Sequence, residues 1–242
     1  MSQLALALEY RAAQGRDDFL VGPSNEVAVA WVDRWPDWPA HALALYGPSG
    51  CGKSHLVQVW LAASGARAIE AETLRRRGAA ALMAEADSFA LDAIDLGLRR
   101  CSGSEEQLLH LYNRVAERGG HLLLAACQPP SRWPVALADL RSRLTAIPTE
   151  SLGAPDDRLL QALLVKLFAD RQLEVAPEVV RFVLARMERS FAGARRIVTA
   201  ADRASLAARR EITVPLMREV LELDGQGGAD PRDNPTDAME DD

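Results

Sequence analysis

Runs that are apolar at every position alternate along this chain with runs whose apolar residues recur every third or fourth position. ALALY (42–46), FALD (89–92) up to its closing acid and HLLLAA (121–126) after its opening histidine are of the first kind. Such short continuous runs, bounded by turn residues, predict strands that are apolar on both faces. HLVQVWLAA (55–63) and SEEQLLHLYNRVAER (104–118) are of the second kind and predict helices, as does VAVAWVDRW (27–35). Ser24, Asn25 and Glu26 offer an N-cap to this last run, and Pro36 and Pro39 close it. Strands apolar on both faces and separated by helices predict an α/β fold, a parallel sheet covered by helices on both faces.

From Ala154 the character changes. DDRLLQALLVKLFADRQ (156–172), PEVVRFVLARME (177–188), ARRIVTAADRASLAARR (194–210) and PLMREVLEL (215–223) are all helical in period, with Pro177 and Pro215 near helix starts. Four segments are expected: a leader over 1–18, the α/β domain over 19–153, a small all-helical domain over 154–223 and a tail over 224–242. The tail carries Asp224, Asp230, Asp233, Asp237, Glu240, Asp241 and Asp242 against the single base Arg232, among Gly and Pro, and reads as a solvated, disordered terminus.

Composition narrows the function classes. The net charge of −6 and pI near 5.4 argue against a protein that holds duplex DNA through a broad basic face. Cys51, Cys101 and Cys127 are odd in number and lack metal or redox spacing, so they read as small apolar filler. His41, His55, His110 and His121 lack ligand spacing. No apolar run is long enough to span a bilayer, and the start of the chain does not read as a secretion leader, so the cytoplasm is expected and no membrane partner.

The most specific motif runs Gly47, Pro48, Ser49, Gly50, Cys51, Gly52, Lys53, Ser54, which fits G-x-x-x-x-G-K-[ST] between an expected strand and an expected helix, with His55 following. Glycines let successive backbone N–H groups converge on an anion at a helix N-terminus. Lys53 places a compact cation on the β and γ phosphates, and the Ser54 hydroxyl suits magnesium. Lys53 and Lys166 are the only lysines in an arginine-rich chain, so one of the two falls where the motif wants it. Asp92, closing the FALD strand, is the expected second magnesium ligand. An acid at the next position would orient an attacking water, and Ala93 cannot; Asp95 lies close by.

Phosphate loop, acid-ended strand and C-terminal helical lid together resemble the P-loop AAA+ ATPases, and further details resemble their DnaA branch. Phe19 to Glu26 (FLVGPSNE), with Gly22 and Asn25, looks like the segment that lines the adenine pocket there. Leu140 to Leu144 (LRSRL) resembles the segment bearing an arginine finger, which would be Arg143. Phe191 to Arg195 (FAGAR), followed by Asp202 and Arg203, is similar to a sensor 2 helix with Arg195 toward the γ-phosphate. Gln3 to Leu8 (QLALAL) resembles the sliding-clamp-binding peptide of the Hda-type regulatory inactivators of DnaA. In an extended segment Leu4, Leu6 and Leu8 share one face and can seat in an apolar pocket while the Gln3 amide hydrogen-bonds. Cys127 and Gln128, where that branch is usually more polar, and Ala93 depart from the pattern and speak against strong hydrolysis in the chain's own pocket.

The resemblance implies a regulator of replication initiation that binds ADP or ATP with Mg2+, and whose partners are DnaA and the DNA polymerase sliding clamp. DNA contact is then indirect, through the clamp, and a homo-oligomer is possible. DnaA continues past its lid into a DNA-binding domain, whereas here the acidic tail follows. A free-standing ATPase or helicase-loader-like motor is the rival reading, and a DNA-binding adaptor is disfavoured by charge.

Overall fold

The computed structural model describes residues 20–101 and 103–227. The chain divides between Gly153 and Ala154 into two compact units. The first is built on strands β1 (Ala42–Tyr46), β2 (Arg67–Ala68), β3 (Phe89–Leu91), β4 (Leu122–Ala126) and β5 (Thr149–Ser151). They form one sheet of order β2-β3-β4-β1-β5 in which every pairing is parallel.

The alternation of side chains across these strands sorts the core into two layers. Ala42, Ala44, Phe89, Leu91, Leu122, Leu124 and Ala126 point to one face. There they meet Leu74 of α3 (Ala71–Arg77), Leu82 of α4 (Ala79–Leu82), Ile94 of α5 (Ile94–Arg100), Leu108 and Leu111 of α6 (Ser104–Glu117), and Leu140 and Leu144 of α7 (Ala138–Ala146). Leu43, Leu45, Ala90, Leu123 and Ala125 point to the other, against Ala28, Val29 and Val32 of α1 (Glu26–Asp33) and Leu56, Val59 and Trp60 of α2 (Lys53–Ser64). A core on each face is why the three central strands read as continuous apolar runs. β2 and β5 are the edges: both residues of β2 are exposed, β5 is only partly buried, and neither shows such a run.

At the end of the sheet where β1 and β4 begin, Trp38 stacks on Trp60 at 5.6 Å, and His121 meets the edges of Trp35 and Trp38 at 6.0 and 5.5 Å. The phosphate loop lies at the opposite ends of these strands.

The second unit comprises α8 (Asp157–Ala169), α9 (Pro177–Leu184), α10 (Phe191–Ala208) and α11 (Val214–Gly227). Two of its helix starts carry side-chain caps: Asp156 Oδ1 accepts from Leu159 N at 2.7 Å, and Ser190 Oγ from Gly193 N at 2.9 Å. α9 starts on Pro177, whose missing N–H costs nothing at that position. Leu160, Leu164, Phe168, Val183, Ile197, Val198 and Met217 are fully buried. The expected tail begins too early at Asp224: α11 continues to Gly227, and Arg196 Nε donates to Asp224 Oδ1 at 2.7 Å. This ion pair across two helices is a tertiary contact that composition does not reveal.

Candidate nucleotide site

The phosphate loop leaves the C-terminal end of β1, an interior strand, at the edge where open parallel sheets take their ligands. Gly50 and Gly52 hold φ of 73° and 103°, values that favour glycine and turn the loop onto the N-terminus of α2. Gly47 has a different reason to be glycine: a Cβ there would stand 2.1 Å from the backbone oxygen of Leu152. The Lys53 side chain is only 8% exposed. Its Nζ donates to Gly47 O at 2.7 Å and Pro48 O at 2.8 Å and lies 3.7 Å from Cys51 Sγ, which holds the ammonium inside the loop. Ser49 is exposed and Cys51 buried, while Ser54 faces outward from the first turn of α2 with the half-buried His55 beside it.

The ends of the neighbouring strands complete this edge. Register pairs Tyr46 with Ala126 and Leu91 with Leu124, so Asp92 and the loop are separated by one intervening strand, roughly 10 Å between strand axes. Asp92 is exposed and its Oδ1 accepts from Ala93 N at 2.8 Å. Ala93 itself sits at φ 50° and presents a methyl group where a second carboxylate would stand. Among the described residues no three His, Cys, Asp or Glu side chains are grouped to hold a metal. The donors at hand, one hydroxyl and one carboxylate, are hard oxygen ligands that suit magnesium completed by phosphate and water.

Asp95, left open from the sequence, is taken up by backbone at the end of β4. It is 5% exposed; its Oδ2 accepts from Cys127 N at 3.1 Å and its Oδ1 from Leu96 N at 3.0 Å. The carboxylate thus ties the start of α5 to the end of β4. Its spacing three residues after Asp92 is visible in the sequence, but its partner is set by strand register alone.

The segment before α1 is organised by Asn25, and not in the way its cap pattern suggests. Its amide makes no cap bond to α1. Instead Oδ1 accepts from Gly22 N at 2.9 Å and Nδ2 donates to Leu20 O at 3.0 Å, with the residue 2% exposed. The carbonyl of Gly22 receives the N–H groups of Asn25 and Glu26 and so takes over the start of the helix. Gly153 N donates to Ser24 O at 2.8 Å and Leu152 N to Tyr46 O at 2.7 Å, so the chain leaving β5 is bonded both to this segment and to the strand that feeds the phosphate loop.

Arg143 lies on α7, its side chain 41% exposed, with Nε donating to Asp139 Oδ1 at 3.1 Å one turn back and its guanidinium 6.0 Å from the Tyr112 ring centre. Sequence reasoning missed what starts this helix: Glu105 of α6 accepts from Ala136 N at 2.9 Å and from Leu137 N at 2.8 Å. In the second unit Arg195 is half-buried on α10, and burial lowers its guanidinium pKa below the usual value. Gln3, Leu4, Leu6 and Leu8, the expected clamp-binding residues, lie outside the described residues.

A parallel sheet of this order, a lysine-bearing phosphate loop leaving β1 and an all-helical second unit make up the fold of an AAA+ module followed by a helical domain. Solved structures agree with that fold. Domain III of the replication initiator DnaA from Thermotoga maritima is similar at 18% identity and a TM-score of 0.76, over 86% of this chain and 95% of that one. AMPPCP-bound DnaA from Aquifex aeolicus is similar at 15% identity and 0.59, over 89% and 92%. The Holliday junction branch migration motor RuvB of Thermotoga maritima is similar at 16% identity and 0.65, over 87% and 72%. Residues 156–221 match the family described as the lid domain of Hda. The chain is thus similar to Hda over its lid segment and shares the fold of DnaA domain III. Among the described residues no helix is long and apolar enough to cross a membrane.

Proposed function

We propose that this protein regulates replication initiation by promoting hydrolysis of ATP held by DnaA, using its own nucleotide as a structural part. One juxtaposition carries the reading: a complete phosphate cradle with a buried Lys53 stands on the same sheet edge as Ala93, where a methyl replaces the carboxylate that would orient water. Asp95 does not substitute for it, because both its oxygens are engaged by backbone N–H groups.

In this reading Gly47 to His55 bind the phosphates of ADP or ATP, the Phe19 to Glu26 segment with Gly22 and Asn25 lines the adenine, and Arg195 is assigned to the γ-phosphate. Ser54 and Asp92 hold magnesium, which screens phosphate charge. The leader, through Gln3, Leu4, Leu6 and Leu8, tethers the protein to the DNA polymerase sliding clamp and so to DNA.

Arg143 is the group that acts on the partner. Leaving Asp139 costs little, since an exposed i,i+4 pair is worth about 0.3–0.5 kcal/mol. An arginine meeting a transferring phosphoryl group in a dry interface contributes on the order of a thousandfold or more in rate. The result is conversion of ATP-DnaA to ADP-DnaA and suppression of re-initiation, in the cytoplasm.

The test is loss of ATP from purified DnaA in the presence of this protein and DNA-loaded clamp, beside this protein's own turnover. Stimulated loss with little own turnover is expected; fast own turnover without stimulation would identify a free-standing motor instead.

A further inference from the structure

Between the metal-acid loop and α7 the first unit contains an unbroken series of buried or half-buried hydrogen bonds. It begins at Asp95, three residues after Asp92, whose Oδ2 receives Cys127 N at 3.1 Å. The next residue, Gln128, accepts with its carbonyl from Trp133 Nε1 at 2.7 Å, which fixes the turn after β4 against a ring that is 6% exposed. Val135 N donates to Trp133 O at 2.8 Å, and Val135 O in turn accepts from Arg141 Nε at 3.0 Å, on α7, two positions before Arg143. Glu105 holds the start of the same helix through Ala136 N and Leu137 N. The Asp95 and Glu105 bonds join elements about thirty residues apart in sequence, and the bonds between them fix the segment that runs from β4 to α7.

We propose that Asp95 is a positioning residue that transmits the occupancy of the chain's own nucleotide pocket to the helix bearing Arg143, through Cys127, Gln128 and Trp133. The proposal rests on the nucleotide reading given above. Its physical basis is that Asp92 and Asp95 share one short turn, which passes through the positive φ of Ala93 into the start of α5. A ligand that draws Asp92 toward magnesium and phosphate therefore loads the Asp95 to Cys127 bond, and the β4 turn has no other anchor to α5 among the hydrogen bonds described. Coupling of this kind is reciprocal: whatever engages α7 changes nucleotide affinity by the same factor.

The experiment uses the full chain and ADP. Hydrogen exchange of the amides of 133–146 is compared with and without ADP in the parent, in Asp95→Asn and in Trp133→Phe, alongside ADP affinity and stimulation of DnaA-bound ATP hydrolysis. Asp95→Asn sets an N–H2 against one of two backbone N–H groups, and Trp133→Phe keeps a ring in the core while removing the donor to Gln128, so the pair separates lost coupling from lost folding. ADP should slow α7 exchange in the parent by about fivefold or more, and both variants should lose that response while binding ADP within about threefold of the parent. An unchanged response in ADP-binding variants, or none in the parent, overturns the relay. A parent that shows the exchange response yet fails to stimulate DnaA supports the relay and removes only the function proposed above.

Discussion

Asn25→Ala probes the ordering of the segment ahead of α1. The amide is 2% exposed and makes two hydrogen bonds, from Gly22 N at 2.9 Å and to Leu20 O at 3.0 Å. Each bond contributes a net ~1 kcal/mol. Leu20 and Gly22 are half-buried, so water reaches the abandoned groups and the full penalty for an unpaired polar atom does not apply. The variant should therefore lose about 2 kcal/mol of stability, a factor of roughly thirty in the unfolding equilibrium. Asn25→Asp keeps the acceptor for Gly22 but sets a carboxylate oxygen against the Leu20 carbonyl, and should be no better than the alanine. Urea unfolding followed by circular dichroism, without nucleotide, reads this loss, and an ADP titration reads whether the segment lines adenine. Parental stability in Asn25→Ala would refute the role given to the amide, whereas lost stability with parental ADP affinity would remove residues 20–25 from the adenine pocket.

Lys53→Ala should abolish ADP binding by calorimetry and with it the ligand-linked gain in stability, which reaches about 2.7 kcal/mol at a hundredfold excess over Kd. Arg143→Ala should leave the melting temperature and ADP affinity unchanged, since its ion pair with Asp139 is exposed, while stimulation of DnaA-bound hydrolysis falls by roughly a thousandfold in a single-turnover assay. Leu6→Ala combined with Leu8→Ala should abolish clamp binding in a pull-down without altering ADP affinity. Burial lowers the His121 pKa below 6.5, opposed by a hydrogen bond to the Pro36 carbonyl and aided by His41. Below pH 6.5 the unfolded imidazole takes its proton first, so this contribution to stability is present above that pH and is lost as pH falls toward the folded pKa. Urea titrations at descending pH should show the loss in the parent and not in His121→Gln.

Legibility in the sequence followed the number of apolar faces. The strands β1, β3 and β4 are covered on both sides and announce themselves, as do the long helices α2, α6, α8 and α10. The edge strands β2 and β5 and the short helices α3, α4 and α5 carry too few residues to display a period, and α7, as long as the predicted α1 and α9, buries only Leu140 and Leu144. At the site, the phosphate loop is local chemistry and could be read as a string. The work of Asn25, Asp95 and Glu105 could not, because each side chain serves backbone groups whose proximity is created by the fold.

The contact between Gly47 and Leu152 bears on how degenerate phosphate loops are to be interpreted. The first glycine of the motif is required here by the backbone oxygen 2.1 Å from where its Cβ would be, a demand of chain packing that exists whether or not a phosphate is ever bound. A descendant of this fold that abandoned nucleotides would be free to change Lys53, and Ser54 with it, but not Gly47. Retention of that glycine alone would then be a relic of architecture, and the lysine is the position at which loss of the ligand would first be written.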